Sequence, residues 1–176
     1  CRGEGDCSDS CRDGWLGNED FGGVYAQMSW HVYLSGEIHT EWRAEVSAAA
    51  MARCLPVEFT GPVTDHEASD DCGVLIMGGE QNKFWHDHKG AKLNAIRTRT
   101  LIEKADIVIV RFGEKYKQWN AAFDAGYAAA LKKSIIVIHN DDHQHALKEV
   151  DAAASAVASN NEQVVRILKY VLNGEL

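Results

Sequence analysis

The chain has 176 residues, 45% hydrophobic and 25% charged, with 18 Lys and Arg against 26 Asp and Glu for a formal net charge of −8. That length suits one domain with a core of its own. An acidic balance without a concentrated block of Lys and Arg excludes a nucleic-acid backbone as the expected partner. No apolar run approaches the roughly 18 residues of a bilayer span, and the first residues lack the charged-then-apolar order of a signal peptide. A soluble, cytoplasmic protein with no membrane partner is the expectation.

Residues 1–27 are rich in Gly, Asp and Ser, lack apolar periodicity and carry Cys1, Cys7 and Cys11. This composition predicts a flexible arm, with the domain running from Met28 to residue 176. The five cysteines, Cys54 and Cys72 included, form no CxxC pair and read as free thiols. Beyond the arm, "WHVYL" (30–34) predicts a strand and "TEWRAEVSAAAMARC" (40–54) a helix with a Thr cap and Trp42, Val46 and Ala50 at helical spacing. "LPVEFTG" (55–61) predicts a second strand. Residues 62–90 give no clear periodicity, although "GVLIM" (73–77) suggests a short buried piece. "LNAIRTRTLIEKA" (93–105) is amphipathic and leads into "DIVIVRF" (106–112), the clearest strand.

"WNAAFDAGYAAALKK" (119–133) predicts a helix capped at Asn120, with Asp124 at about its fourth position, where complementing the helix dipole explains an acid poorly. "SIIVI" (134–138) is another continuous Val/Ile run, expected of a strand covered on both faces. "HALKEVDAAASAVAS" supplies a further helix or strand and "EQVVRILKYVLN" a closing helix. The order predicts an α/β fold: a flavodoxin-like or Rossmann-like open parallel sheet of about five strands with helices on both faces. Ligands of such sheets bind beyond the carboxyl ends of the strands, which directs attention to the loop "GEKYKQWN" (113–120).

"ADIVIV" followed by a loop and "AFDAGYAAALKKSIIVI" resembles the nucleoside 2-deoxyribosyltransferase superfamily, whose motif runs strand, loop, small-x-Glu-x-Gly-Tyr-Ala, strand. "VYLSGEIHTEWR", "PVEFTGPVTDHEASD" and "LNAIRTRTLIEKADIVIVRFGEKYKQWNAAFDAG" are similar, more closely, to its YtoQ branch. The likeness covers about residues 30 to 172. It implies chemistry on a nucleoside or nucleotide: 2-deoxyribosyl transfer, or hydrolysis of the N-glycosidic bond, through a carboxylate nucleophile and without a cofactor. Asp124 occupies the nucleophile position, and a carboxylate beside an anomeric carbon can stabilise an oxocarbenium-like transition state and trap it covalently. Tyr127 would orient it through its hydroxyl, and a helix N-terminus would favour its ionised form.

Two residues depart from the superfamily pattern. Asp124 is one methylene shorter than the usual Glu, and Lys92 stands where an Asp precedes Leu-Asn-Gly-Ile. A replacement acid or base is sought in the loops, with His39 and Asp87 as the catalytic candidates beside Asp124 and Tyr127. Substrate contacts are expected from Ser35, Gly36 and Glu37 after the first strand, Asp65 and His66 after the second, Lys92 and Asn94 on the amphipathic helix, and Gly113, Trp119, Asn120 and Gly126 around the nucleophile. Lys92 could bind a phosphate. Tyr116, Trp119, Phe84 and Trp85 could stack on a base, or fill a core or subunit interface. "HDH" (86–88) and "HNDDHQH" (139–145) match no metal-ligand spacing, so no metal is expected. The resemblance also implies a homo-oligomer. The competing readings are a non-catalytic nucleotide-binding or regulatory module, and a different sugar-nucleotide substrate.

Overall fold

The computed structural model describes residues 29–115 and 117–176. The expected arm, residues 1–27, and Tyr116 lie outside the described residues. Five strands, β1 (Trp30–Gly36), β2 (Val57–Thr60), β3 (Ile107–Arg111), β4 (Ser134–Ile138) and β5 (Ala156–Ala158), form one sheet in the order β2-β1-β3-β4-β5. All four pairings are parallel. The chain therefore has the flavodoxin-like α/β fold, and the strand order reverses between β1 and β3, where a ligand crevice opens.

The continuous Val/Ile runs follow from burial of both sheet faces, because successive side chains point to opposite sides. Val32, Leu34, Ile107, Ile109, Ile136 and Ile138 pack on α1 (Trp42–Ala52) and α7 (Asn161–Asn173). Tyr33, Val108, Val110, Ile135 and Val137 pack on α4 (Lys83–Lys104), α5 (Trp119–Ala130) and α6 (Gln144–Ala153). The parallel register keeps each set together: Val32 lies beside Ile107 and Leu34 beside Ile109, with Ile109 in turn beside Ile136.

Two expectations are corrected in residues 62–90. "GVLIM" is not a buried piece: it forms most of a short helix, α3 (Cys72–Met77), preceded by α2 (His66–Asp70), and it leaves Leu75, Ile76 and Met77 exposed. "FWHDHKG" is not loop, because α4 begins at Lys83 and runs for 22 residues. Gly73 and Gly90 explain the close helix packing here, since a side chain on Gly73 would overlap the α4 backbone at Gly90 and one on Gly90 would overlap the α2 backbone at Asp70. Such contacts depend on tertiary proximity and have no sequence period. The Thr cap is also replaced: Glu41 precedes α1 without a side-chain cap, and Thr40 donates to Glu37 instead. Cys54 is disulfide-bonded, against the free-thiol expectation, whereas Cys72 is free.

At the carboxyl edge β1 ends on Gly36, with φ at +102° and with no room for a Cβ, which would overlap the Arg111 carbonyl oxygen. Gly36→Ala is expected to cost about 3 kcal/mol from backbone strain and overpacking together. Gly126 faces open space inside α5, so Gly126→Ala should gain about 0.5–1 kcal/mol. Urea midpoints of the two variants should move in opposite directions; a shift of the same sign in both would contradict this account of the edge.

Candidate functional site

Strand alternation sends Ser35 to the same side as Tyr33, toward α5. On α5, Ala121, Ala125 and Ala128 form the buried stripe and bring the helix close to the sheet. Asp124 sits at the edge of that stripe, and its Oδ2 accepts a hydrogen bond from the Ser35 hydroxyl at 2.6 Å. Burial raises the Asp124 carboxyl above its ordinary value of 3.8, and the Ser35 bond opposes the rise only in part. The helix starts at Trp119 rather than after Asn120, so Asp124 is beyond its first turn. The dipole effect fades over that distance, and desolvation replaces it as the dominant influence on the acid.

Tyr33 lies under the same floor. Its hydroxyl donates to Thr98 Oγ1 on α4 at 3.4 Å, and burial pushes it up to about 12 despite that bond. The loop after β1 is held by a separate set of contacts. Arg43 on α1 donates to the carbonyls of Leu34 at 3.1 Å, Glu37 at 2.6 Å and Gly36 at 3.0 Å, and its guanidinium lies 4.7 Å from the Trp42 ring centroid. Burial lowers the Arg43 pKa, with Tyr33 and Glu37 opposing. The Glu37 side chain, 3% exposed, accepts from Thr40 Oγ1 at 2.5 Å and from the His39 backbone N–H. Gly113 makes room for it, since a Cβ there would overlap Glu37 Cγ.

These elements surround a cleft of about 920 Å³. Of the residues expected from sequence, it is lined by Gly36, Glu37, His39, Asp87, Asn94, Trp119, Asn120 and Asp124, with Ser35 bonded to Asp124 from below. Asp87 belongs to the far end: at 1.5 Å per residue it lies about 16 Å along α4 from Thr98. It pairs at 3.5 Å with His86. Asn94 donates to the Ser69 carbonyl at 3.0 Å and so ties α2 to α4.

The remaining candidates are engaged elsewhere. Tyr127 donates to Glu103 Oε1 at 2.6 Å, not to Asp124, and that bond is the main reason its hydroxyl is shifted upward. Ser35 takes the orienting position expected of Tyr127. Asp65 caps α2 by accepting from the Ala68 N–H at 2.7 Å. His66 pairs with Asp70 at 3.4 Å on the surface. Lys92 is exposed and outside the cleft lining; Gly113 backs Glu37, and Gly126 stands on the open side of α5. Of the histidine runs, His86 also contacts Asp71 at 3.2 Å, His88 stacks on Phe84, and buried His139 contacts Asp151 at 3.1 Å.

Sequence reasoning missed Tyr33, Arg97, Thr98, Arg99, Lys117 and Phe123, all of which line the cleft. Tyr33 was discoverable from its two-residue spacing to Ser35 on one strand. The polar run "RTRT" had no such signal, because helix periodicity separates apolar from polar faces without saying which polar side chains meet a cleft.

A family model described as nucleoside 2-deoxyribosyltransferase YtoQ matches residues 33–172. An uncharacterized protein YtoQ of Bacillus subtilis (strain 168) is 42% identical over 148 residues, covering 84% of this chain and all of the relative. Among solved structures, a conserved protein from Enterococcus faecalis V583 superposes with a TM-score of 0.59 at 13% identity, over 82% of this chain and 100% of that one, a likeness of fold. A 2-deoxyribosyltransferase from Bacillus psychrosaccharolyticus gives a TM-score of 0.47 at 18% identity, over 77% of this chain and 90% of that one. No helix among the described residues is long and apolar enough to cross a membrane.

The raised Asp124 carboxyl has a defined consequence for stability. Its folded pKa exceeds the unfolded one, so between the two the folded state binds more protons, and stability falls as pH rises through that window. Asp124→Asn should be nearly neutral below pH 3.8 and progressively more stable than the parent as pH rises above it. Thermal melts of both proteins from acid to neutral pH test this; a variant that loses stability relative to the parent over that range contradicts it.

Proposed function

This chain belongs to the nucleoside 2-deoxyribosyltransferase YtoQ family, and from that premise we propose that it breaks the N-glycosidic bond of a nucleoside or nucleotide through Asp124. The observation that carries the proposal is a partly desolvated carboxylate in a large cleft, tethered through one oxygen to Ser35. With Oδ2 held by the Ser35 hydroxyl, Oδ1 attacks the anomeric carbon. The C–N bonding pair leaves with the nucleobase, which takes up a proton, and a glycosyl ester remains on Asp124. Water breaks that ester in hydrolysis, and a second nucleobase breaks it in transfer.

Burial serves this chemistry by differential binding. It disfavours the free carboxylate but strengthens its attraction to the cationic sugar that develops in the transition state. His39 lines the cleft on the loop fixed by Glu37 and is the proton donor of this reading. Trp119, 73% exposed at the rim, offers a flat face to the base.

The test is incubation with deoxynucleosides and deoxynucleoside monophosphates, followed by chromatography for free base. Wild type should release base and Asp124→Ala should release none. Ser35→Ala should lose about 10- to 100-fold in kcat/KM, the size of one hydrogen bond to a charged group, and its acidic limb should move to higher pH because a contact favouring the ionised acid is gone. No base from wild type, with a ligand still raising its melting temperature, would instead support a non-catalytic binding module.

The same reading includes a homo-oligomer. Leu75, Ile76 and Met77 on α3 and Phe84 and Trp85 at the start of α4 are exposed on neighbouring elements, a concentration of apolar side chains suited to a second copy. Light scattering should give a mass above the 19.4 kDa of one chain, and Leu75→Asp with Trp85→Asp should lower it to that value.

A further inference from the structure

The run "HNDDHQH" (139–145), which matches no metal-ligand spacing, has a different use in the fold. His139 follows β4 directly and is 6% exposed. Its backbone N–H donates to the Ala158 carbonyl of β5 at 3.3 Å, so the sheet fixes where the ring sits. Ring Nδ1 lies 2.6 Å from the Asn140 carbonyl oxygen, and Nε2 lies 3.1 Å from each carboxylate oxygen of Asp151 on α6. A carbonyl and a carboxylate can only accept. A protonated ring donates to both. A neutral ring donates to one and turns a lone pair toward the other, and a buried polar contact left unmade is costly.

Asn140 carries that state to the cleft. Its Oδ1 accepts from His143 Nδ1 at 2.6 Å, and its Nδ2 donates to Glu114 Oε1 at 3.1 Å. Glu114 belongs to the loop between β3 and α5, whose Lys117 and Gln118 line the cleft. That loop is incompletely held by its own contacts, because Gln118 Nε2 is buried without a hydrogen-bond partner. Other charges stand back from the His139 ring. Alpha helix α5 turns Ala121, Ala125 and Ala128 inward, while Asp141, Asp142, His145, Lys148 and Glu149 are exposed. At the end of β3, Arg111 is directed to Asn161 at the start of α7. His143 can donate through Nδ1 whether neutral or charged, so its bond to Asn140 does not require the second proton.

We propose that His139 is a pH-dependent lock on the β3–α5 loop: the protonated ring holds Asn140 where it clasps Glu114, and the neutral ring lets the clasp loosen. The rim of the cleft is therefore tighter in acid and looser as pH rises. As regulation of the cleft this rests on the N-glycosidic reading; as a property of the loop it does not. Asp124 must be ionised to attack, and its burial opposes ionisation, so the acid and the lock bound opposite sides of one pH window.

Nuclear magnetic resonance of the substrate-free protein, titrated from mildly acid to mildly alkaline pH, reports the lock apart from turnover. The His139 ring and the backbone amides of Lys117 and Gln118 should shift with one shared midpoint. Glu114→Ala, a change on the exposed loop, should leave the His139 titration in place and abolish the accompanying shifts at Lys117 and Gln118. His139→Gln should abolish them too, and His145→Gln, on the exposed face of α6, should leave them. Where base is released, KM should rise about threefold to tenfold across the same midpoint, the size of one hydrogen bond, and Glu114→Ala should be equally high on both sides. Loop amides that follow another midpoint, or that still follow His139 in Glu114→Ala, would overturn the proposal. Failure of the glycosidic reading shows differently: wild type releases no base from any compound while the shared titration persists.

Discussion

The carboxyl edge of the sheet depends on one close main-chain approach, Gly36 against Arg111. The Glu37 N–H donates to the Arg111 carbonyl at 3.0 Å, extending the β1–β3 ladder one residue past the strand. Only a residue without a Cβ fits between them. The contact fixes where β1 stops, and therefore the height at which Ser35 meets α5. It also turns the Glu37 side chain into the space above Gly113, where a second missing Cβ admits it. Arg43 completes the edge by satisfying three carbonyls that no further strand residue could reach; buried carbonyls left unpaired would be costly.

From that edge follows the tension at Asp124. The alanine stripe of α5 lets the helix sit close to β1, and closeness removes the carboxylate from water. A protein optimised for stability alone would place an apolar side chain at this position. One serine hydroxyl offsets part of the desolvation and holds the acid in one orientation. Destabilised acids of this kind cluster at functional sites because the unfavourable charge becomes favourable when a cationic centre develops beside it.

The cleft is walled by elements of unequal character. The β1–α1 loop is fixed by buried contacts through Glu37, Trp42 and Arg43, whereas α3 and the first turn of α4 leave large apolar side chains exposed. The loop wall carries Glu37 and His39, and the opposite wall supplies Asp70, Asp87 and Asn94.

The sequence by itself determined the sheet and its layers. Val/Ile runs at 106–112 and 134–138, alternating with helical periods, permit little other than a parallel sheet covered on both faces, because each side chain along the run needs an apolar neighbour. The family motif also placed Asp124 beside the switch point. The tertiary structure decided its companions. Tyr127 has the right spacing on α5, but the side-chain direction at that turn takes its hydroxyl to Glu103, and Ser35, 89 residues away in sequence, meets the acid instead. Arg97 and Arg99, which no sequence period singles out, line the cleft because α4 packs beside β1. Periodicity reports how each element divides apolar from polar; only packing brings the polar residues of different elements together.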